Sequence, residues 1–389
     1  MPSGTVIAVG LAALVLAMAH LVQLLSAVVC LRRLRRGRSE RPTQRGGPEV
    51  SVLLPFSGLD AETPRTLASC FALTYPHLEL IFCTPDADEP AVPIVRALMA
   101  ENSGVRARLL IGREHVSSNP KLDNLAKGWP EARSDTIVIA DCNVLLPPDL
   151  IERLLAAWDR NTGLVTAVPV GSDPASFGAA VECAFLNTYQ ARLQLAADTL
   201  GGGFAHGKAM AFRRTLLDRL GGPDALAFTV AEDSAATLLV RKAGYRIRLI
   251  DTPLRQPLGR RALREVWSRQ MRWAQIRRRS FPWIYPLEIA STSLLPMGAA
   301  VVLAAAIDAP VVPAAAASLA AWLAVEAALA WRAGWPCGVS YAAACVARDV
   351  MIGAIWPAAW VRTRYVWRGN PVDLKEVAGR APPLERRPE

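Results

Sequence analysis

The chain has 389 residues, a formal net charge of +10 and an apolar fraction of 52%. That is room for one large soluble domain plus membrane segments, and it is more apolar than a water-soluble protein of this size. The seven cysteines are scattered, with no CxxC pair and no nearby histidine at metal-ligand spacing, which excludes a disulfide framework or zinc module and fits a reducing cytosol.

In chain order, residues 4–31 carry no charged side chain and are long enough to span a bilayer. No Lys or Arg precedes this run, which argues against a cleaved signal peptide. Directly after it come Arg32, Arg33, Arg35, Arg36, Arg38, Arg41 and Arg45, opposed only by Glu40. The positive-inside rule makes that end cytosolic. The cluster suits anionic lipid headgroups, and the chain contains no nucleic-acid-binding motif.

Residues 50–285 read as one α/β domain. Strand-like runs at 50–54, 78–83, 105–111, 136–140, 164–168 and 208–213 alternate with helical periodicity at 63–73, 91–101, 148–158 and 234–242. This alternation predicts a mainly parallel sheet, with ligands bound beyond the carboxyl ends of its strands. Asp86 and Asp141 fall at two such ends. Residues 177–200 are expected to form an amphipathic helix along the membrane face, with a fully buried helix as the alternative. Residues 286–307 and 310–331 then read as spans. A weaker span at 341–361 holds Arg348 and Asp349 in mid-segment, adjacent and so expected to point apart. The tail carries Arg362, Arg364, Arg368 and Lys375, which favour the cytosol, whereas a full third crossing there would put the tail outside; 341–361 therefore reads as a span, or as a re-entrant or interfacial segment. The resulting plan is a span at 1–31, a basic linker at 32–49, the α/β domain at 50–285, membrane or interfacial helices at 286–361 and a polar tail at 362–389.

Several residues have chemistry to offer. Asp141, after an apolar strand, suits a divalent cation bridging a diphosphate, or a simple turn. Asp86, Asp88 and Glu89 make an acidic loop able to hold a sugar hydroxyl or a uracil ring, or merely a solvated turn. Lys121, in Asn119-Pro120-Lys121 at a helix start, offers an ammonium to a phosphate. His206 follows three glycines and faces the acceptor side in this reading. Ala231-Glu232-Asp233 opens a helix, where acids complement the dipole and a partly desolvated Asp233 can act as general base. Arg269, Arg272 and Trp273 share one helix face by their i, i+3 and i, i+4 spacing, and paired arginines suit a diphosphate. The basic run Arg277-Arg278-Arg279 reads as lipid-phosphate binding.

The order of these pieces resembles the family 21 glycosyltransferases of the ceramide type, related to family 2. The likeness is carried by Val50-Ser51-Val52-Leu53 with Gly58 and Asp60, residues 83–91, Asn119-Pro120-Lys121 with Asn124-Leu125, Asp141, Gly221-Gly222, Ala231-Glu232-Asp233 and residues 269–273. It covers most of residues 50–280. The resemblance implies a GT-A fold, a UDP-sugar donor and inversion at the anomeric carbon. It implies donor contacts for Asp86, Asp88, Lys121 and Asp141, and a catalytic base at Asp233. Arg269, Arg272, Trp273 and His206 would hold diphosphate and acceptor, and Asp141 with Asn143 a divalent cation, Mg or Mn. Where many GT-A enzymes have Asp-x-Asp, this chain has Asp141-Cys142-Asn143, as the ceramide-type enzymes tend to. The implied reaction is transfer from UDP-glucose to ceramide. The alternatives are another lipid acceptor such as diacylglycerol or a hopanoid, another UDP-hexose, or a non-catalytic membrane scaffold. An Ala- and Arg-rich composition points to a bacterial cytoplasmic membrane protein, multi-pass, with its catalytic domain cytosolic.

Overall fold

A computed structural model describes residues 4–40, 46–112, 119–229, 231–362, 364–367 and 370–373. Arg41, Arg45, Arg368 and Lys375 lie outside the described residues. The chain divides into two compact units. Of the described residues, one comprises those within 34–170, 197–257 and 364–373; the other comprises those within 4–33, 171–196 and 258–362. Two stretches of the expected 50–285 domain, 171–196 and 258–285, therefore group with the apolar helices.

The helix α1 (Gly4–Ser39) leads into the first unit. There follow β1 (Val50–Pro55), α2 (Thr63–Phe71), β2 (Leu78–Thr84), α3 (Val92–Glu101), β3 (Arg106–Ile111), α4 (Pro120–Glu131), β4 (Thr136–Ala140), α5 (Leu150–Ala156) and β5 (Thr162–Thr166). The chain continues through β6 (Pro169–Pro174), α6 (Phe177–Ala184), a π-helical turn (Phe185–Ala191), α7 (Arg192–Thr199), β7 (Ala209–Arg213), α8 (Arg214–Arg219), α9 (Glu232–Lys242), β8 (Arg246–Leu249) and β9 (Leu254–Gly259).

Seven strands form one sheet in the order β3-β2-β1-β4-β7-β5-β8. All its pairings are parallel except those of β7, which runs antiparallel to both β4 and β5. β1 and β4 are buried along their whole length, as strands covered on both faces must be, which explains their unbroken apolar runs. Alternate residues Val50, Val52, Leu54, Leu80, Phe82 and Val138 pack with Leu67, Val92, Val95 and Leu154 of the helices on one face. α4 covers the other face. A Cβ on Gly128 would come within 2.8 Å of Cys83 Sγ and 3.2 Å of Leu53, so glycine lets that helix approach β1 and β2.

In the second unit, α6 and the π-helical turn are buried from Gly178 to Tyr189. The expected amphipathic surface helix is therefore corrected to its alternative, a buried one. Its charged side chains are satisfied internally. Glu182 is fully buried and pairs with Arg261 at 3.2 Å and with Arg269. Arg192 donates to Ser26 Oγ at 2.6 Å and to the Thr188 carbonyl at 2.7 Å.

This unit also contains α10 (Leu263–Ser280), a 3₁₀ turn (Tyr285–Ser291), α11 (Leu294–Ala306), α12 (Val311–Ala333) and α13 (Val339–Val361). Among the described residues, three helices are long and apolar enough to cross a membrane, at 6–39, 311–333 and 339–361. The expected span at 286–307 is instead broken, with the 3₁₀ turn and α11 meeting at 62°. The weaker expected span, 341–361, lies within one continuous helix of 23 residues, Val339–Val361. Arg348 is paired within it: it bonds Glu326 at 2.9 and 3.1 Å, Asp349 at 2.9 Å and Thr188 Oγ1 at 2.9 Å. The adjacent Arg348 and Asp349 meet, contrary to the expectation that they point apart. Intramembrane charges persist when paired in this way.

Candidate active site

Side chains from four separate stretches, 119–121, 141–143, 206–208 and 232–233, converge beyond the carboxyl end of β4. Asn119 caps α4 by accepting from the Lys121 backbone N–H at 3.0 Å, and Pro120 fills the first helical position, where a missing N–H costs nothing. The cap fixes Lys121 in the first turn. Its ammonium meets Asp141 Oδ1 at 2.6 Å, Glu232 Oε1 at 2.6 Å and the Gly207 carbonyl at 2.6 Å. All three ammonium donors are thereby used. Asn119 Nδ2 donates to the other oxygen of Glu232 at 2.9 Å.

Asp141 is held from its second side by Lys208 Nζ, 2.9 Å from Oδ2, and the same ammonium lies 2.8 Å from Asn143 Oδ1. Burial alone would raise the Asp141 pKa; the two ammoniums outweigh it and hold the carboxyl well below the usual range. Lys121 is the mirror case: burial disfavours its charge, and Asp141 with Glu232 more than restores it.

Asp233 lies in the first turn of α9, and among the described residues its hydrogen-bond donors are backbone groups: Gly207 N–H at 3.2 Å to Oδ2 and Ser234 N–H at 2.7 Å to Oδ1. Burial, and then the neighbouring Glu232 carboxylate, push its pKa up to about 6, against the opposing pull of Lys121. Gly207 makes the cluster possible. A Cβ there would sit 2.7 Å from Glu232 Oε1 and 3.2 Å from Lys121 Nζ.

His206 is anchored through its backbone N–H to Thr166 Oγ1 at 3.0 Å. Its Nε2 is buried without a hydrogen-bond partner among the described residues. Burial first, and then Lys208, lower its pKa to about 4, so the ring is neutral at pH 7.

The structure thus brings together Lys121, Asp141, Asn143, His206 and Asp233 of the residues selected from sequence. Asp86 and Asp88 are exposed on the loop after β2, at the same edge of the sheet, with Asp86 accepting from the Asp88 N–H at 3.2 Å. Their neighbour Glu89 is structural: it accepts from Ser57 Oγ at 2.8 Å and Gly58 N–H at 2.7 Å, tying down the loop after β1. Arg269, Arg272 and Trp273 belong to α10 in the other unit. There Arg269 pairs with Glu182, while Arg272 and Trp273 are half-buried. Arg277 is held by both oxygens of Glu288, at 2.6 and 2.9 Å, and Arg278 lies 5.7 Å over the Trp360 ring. Of the expected lipid-phosphate run, only Arg279 is exposed.

Sequence reasoning passed over Lys208 and Gly207. Lys208 precedes a strand whose antiparallel direction alone sets it opposite Asp141, and nothing local to residue 208 signals that direction.

The donor set for a divalent cation is poor. Asp141 and Asn143 are the oxygens it would use, and Lys208 bonds both. A dication there would face two ammoniums across a single carboxylate. Among the described residues, no group of three or more His, Cys, Asp or Glu side chains converges to hold a metal. The residues present do not fit a resident cation.

The family model described as Glycosyl transferase family 21 matches residues 15–378. Ceramide glucosyltransferase 1 of Caenorhabditis elegans is 27% identical over 271 residues, which cover 69% of this chain and 58% of that protein. The ceramide glucosyltransferase of Komagataella phaffii is 32% identical over 149 residues, covering 36% of this chain and 29% of that one. The chain spans little more than half the length of the first two curated relatives, 58% and 53%. Among solved structures, a mannosyltransferase from Pyrobaculum calidifontis in complex with GDP-Man and Mn2+ is 21% identical with a TM-score of 0.49, covering 91% of this chain and 99% of that one. Glucosyl-3-phosphoglycerate synthase from Mycobacterium tuberculosis, in complex with Mn2+, UDP and phosphoglyceric acid, is 18% identical with a TM-score of 0.39, covering 64% and 82%.

Proposed function

Because the chain belongs to glycosyl transferase family 21, we propose that it is a membrane-bound inverting hexosyltransferase that moves glucose from UDP-glucose to the primary hydroxyl of ceramide. The observation that carries this reading is the Asp233 carboxylate, desolvated, raised to about 6 and, among the described residues, bonded only by backbone N–H groups. Such a group is ionised at pH 7 yet more basic than an ordinary carboxylate, which suits removal of a hydroxyl proton.

In the proposed step the acceptor oxygen attacks C1 of the sugar. The new C1–O bond forms as the bond from C1 to the diphosphate oxygen breaks, with that electron pair leaving on UDP. The hydroxyl proton passes to Asp233. Lys121, fully committed to Asp141, Glu232 and the Gly207 carbonyl, positions the carboxylates around the base. His206, neutral, offers Nε2 to a sugar or acceptor hydroxyl. Asp86 and Asp88 are proposed to contact the nucleotide. Roles for Arg269, Arg272 and Trp273 at the leaving group and acceptor rest on their motif. The proposed setting is a bacterial cytoplasmic membrane, with the sheet-bearing unit cytosolic.

The test is transfer from radiolabelled UDP-glucose by purified protein in detergent, with ceramide, diacylglycerol and a hopanoid as separate acceptors. Labelled glucosylceramide is the expected product. A label on another lipid would keep the chemistry and correct the acceptor. No labelled lipid from any of them, with no binding of UDP, would end the enzyme reading. Asp233→Asn is expected to lower transfer by about 10²–10⁴-fold while UDP binding persists.

A further inference from the structure

We propose that Lys208 supplies, from the protein itself, the positive charge that a divalent cation would otherwise bring to the donor diphosphate at Asp141 and Asn143. The inference rests on the transferase reading above and concerns how that site holds its donor.

The first ground is position. β4 and β7 pair antiparallel in a register that sets Ala140 against Ala209. Residues 141 and 208 are the next pair outward, and the ladder continues through them: the Asp141 N–H donates to the Lys208 carbonyl at 3.2 Å. The backbone thus delivers residue 208 to the strand-end carboxylate. Every other pairing in this sheet, apart from those of β7, is parallel, so the amino-terminal end of β7 is brought to an edge otherwise formed by strand carboxyl ends.

The second ground is the ligand set. Lys208 Nζ bonds Asp141 Oδ2 at 2.9 Å and Asn143 Oδ1 at 2.8 Å. These are the first and third residues of the triplet that would ligate a cation, and the ammonium bridges them as a cation would. Asn143 contributes no charge, so one monovalent ammonium balances the share of Asp141 that Lys121 leaves.

The third ground is the count of donors. Lys121 spends all three N–H groups inside the cluster. Lys208 spends two on Asp141 and Asn143 and, among the described residues, keeps a third to offer. Its side chain is only 16% exposed, so an anion that reached it would meet a largely desolvated charge rather than a freely solvated lysine. An ordinary surface ion pair has neither the strand-end position nor the bridging geometry.

The experiment measures UDP affinity by calorimetry, and Mn2+ binding by electron paramagnetic resonance, on the full chain in detergent. Wild type is expected to bind UDP in EDTA, to transfer sugar there, and to change by less than about twofold on adding Mn2+. Lys208→Met is expected to lose about 10–100-fold in UDP affinity in EDTA, the loss typical of a removed charged hydrogen bond. Lys208→Arg is expected to retain much of the affinity. The double variant Lys208→Met with Asn143→Asp creates two carboxylates with no bridging ammonium. It is expected to bind Mn2+ where wild type does not, and to recover UDP affinity only with Mn2+. A gain of that kind cannot come from misfolding. Wild-type UDP binding that requires Mn2+ would overturn this proposal alone. UDP binding in EDTA that Lys208→Met leaves unchanged would do the same. Failure of wild type to bind UDP with or without Mn2+ would overturn both this proposal and the transferase reading.

Discussion

Glu232 and Asp233 are adjacent carboxylates with different partners. Glu232 is locked by Lys121 and Asn119, whereas Asp233, among the described residues, receives only backbone N–H groups. That difference gives a pH dependence with a definite sign. Only ionised Asp233 can accept the proton, so kcat/KM is expected to fall about tenfold per pH unit below about 6. A pH–rate profile flat down to pH 4.5 would remove Asp233 from the role. The stability effect runs the other way. A carboxyl raised in the folded state stabilises fully below its unfolded pKa, near 4, and that contribution is lost as pH rises through about 6. Asp233→Asn is therefore expected to gain Tm relative to wild type at pH 8, and not at pH 4, in thermal unfolding. The acidic pair was visible in the sequence as a helix-start motif. Which acid is free was not, because Asn119 and Lys121 come from more than a hundred residues earlier.

Strands and helices were legible from periodicity: β1, β2 and β4 appear within a residue or so of their expected bounds. Direction was not legible. β7 reads as an ordinary apolar run, and only the path of the chain decides that it enters the sheet reversed. Likewise Arg192, Glu182, Arg348 and Asp349 looked like reasons to place their helices at a surface. Each is instead buried with partners that lie far away in sequence, such as Ser26 for Arg192 and Glu326 for Arg348. Breaking such a pair is costly, while replacing both members by apolar groups is often tolerated. Arg348→Met alone strands Glu326 and is expected to lose about 3–5 kcal/mol. Arg348→Met combined with Glu326→Leu is expected to lose less than either single change, as read by thermal unfolding in detergent. A strictly additive double variant would mean that the pair is not a unit.

For the molecule as a whole, the number of crossings fixes where the two basic ends lie. α11 has 13 residues, roughly 20 Å of helix, too short for the roughly 30 Å hydrocarbon core, and it meets the preceding turn at 62°. If that bent pair enters and returns, α1, α12 and α13 make three crossings. Arg362 and Arg364 then emerge on the same side as Arg32, Arg35, Arg36 and Arg38, as the positive-inside rule favours. A C-terminal reporter is expected to be cytosolic; an external one would mean that the bent pair crosses. The conflict between the tail and the number of crossings is legible in the sequence. The bend between the 3₁₀ turn and α11 is not, because the apolar composition of that stretch runs on without a mark of it.

The pairing of β4 with β7 has a consequence for how this family can diversify. Five backbone pairs set the register, so residue 208 faces residue 141 whatever its side chain. The position is a socket whose content can be exchanged without rebuilding the sheet. A cation-dependent and a self-sufficient donor site would then be separated by one substitution at position 208 and one at position 143, a short walk in sequence space between two chemistries.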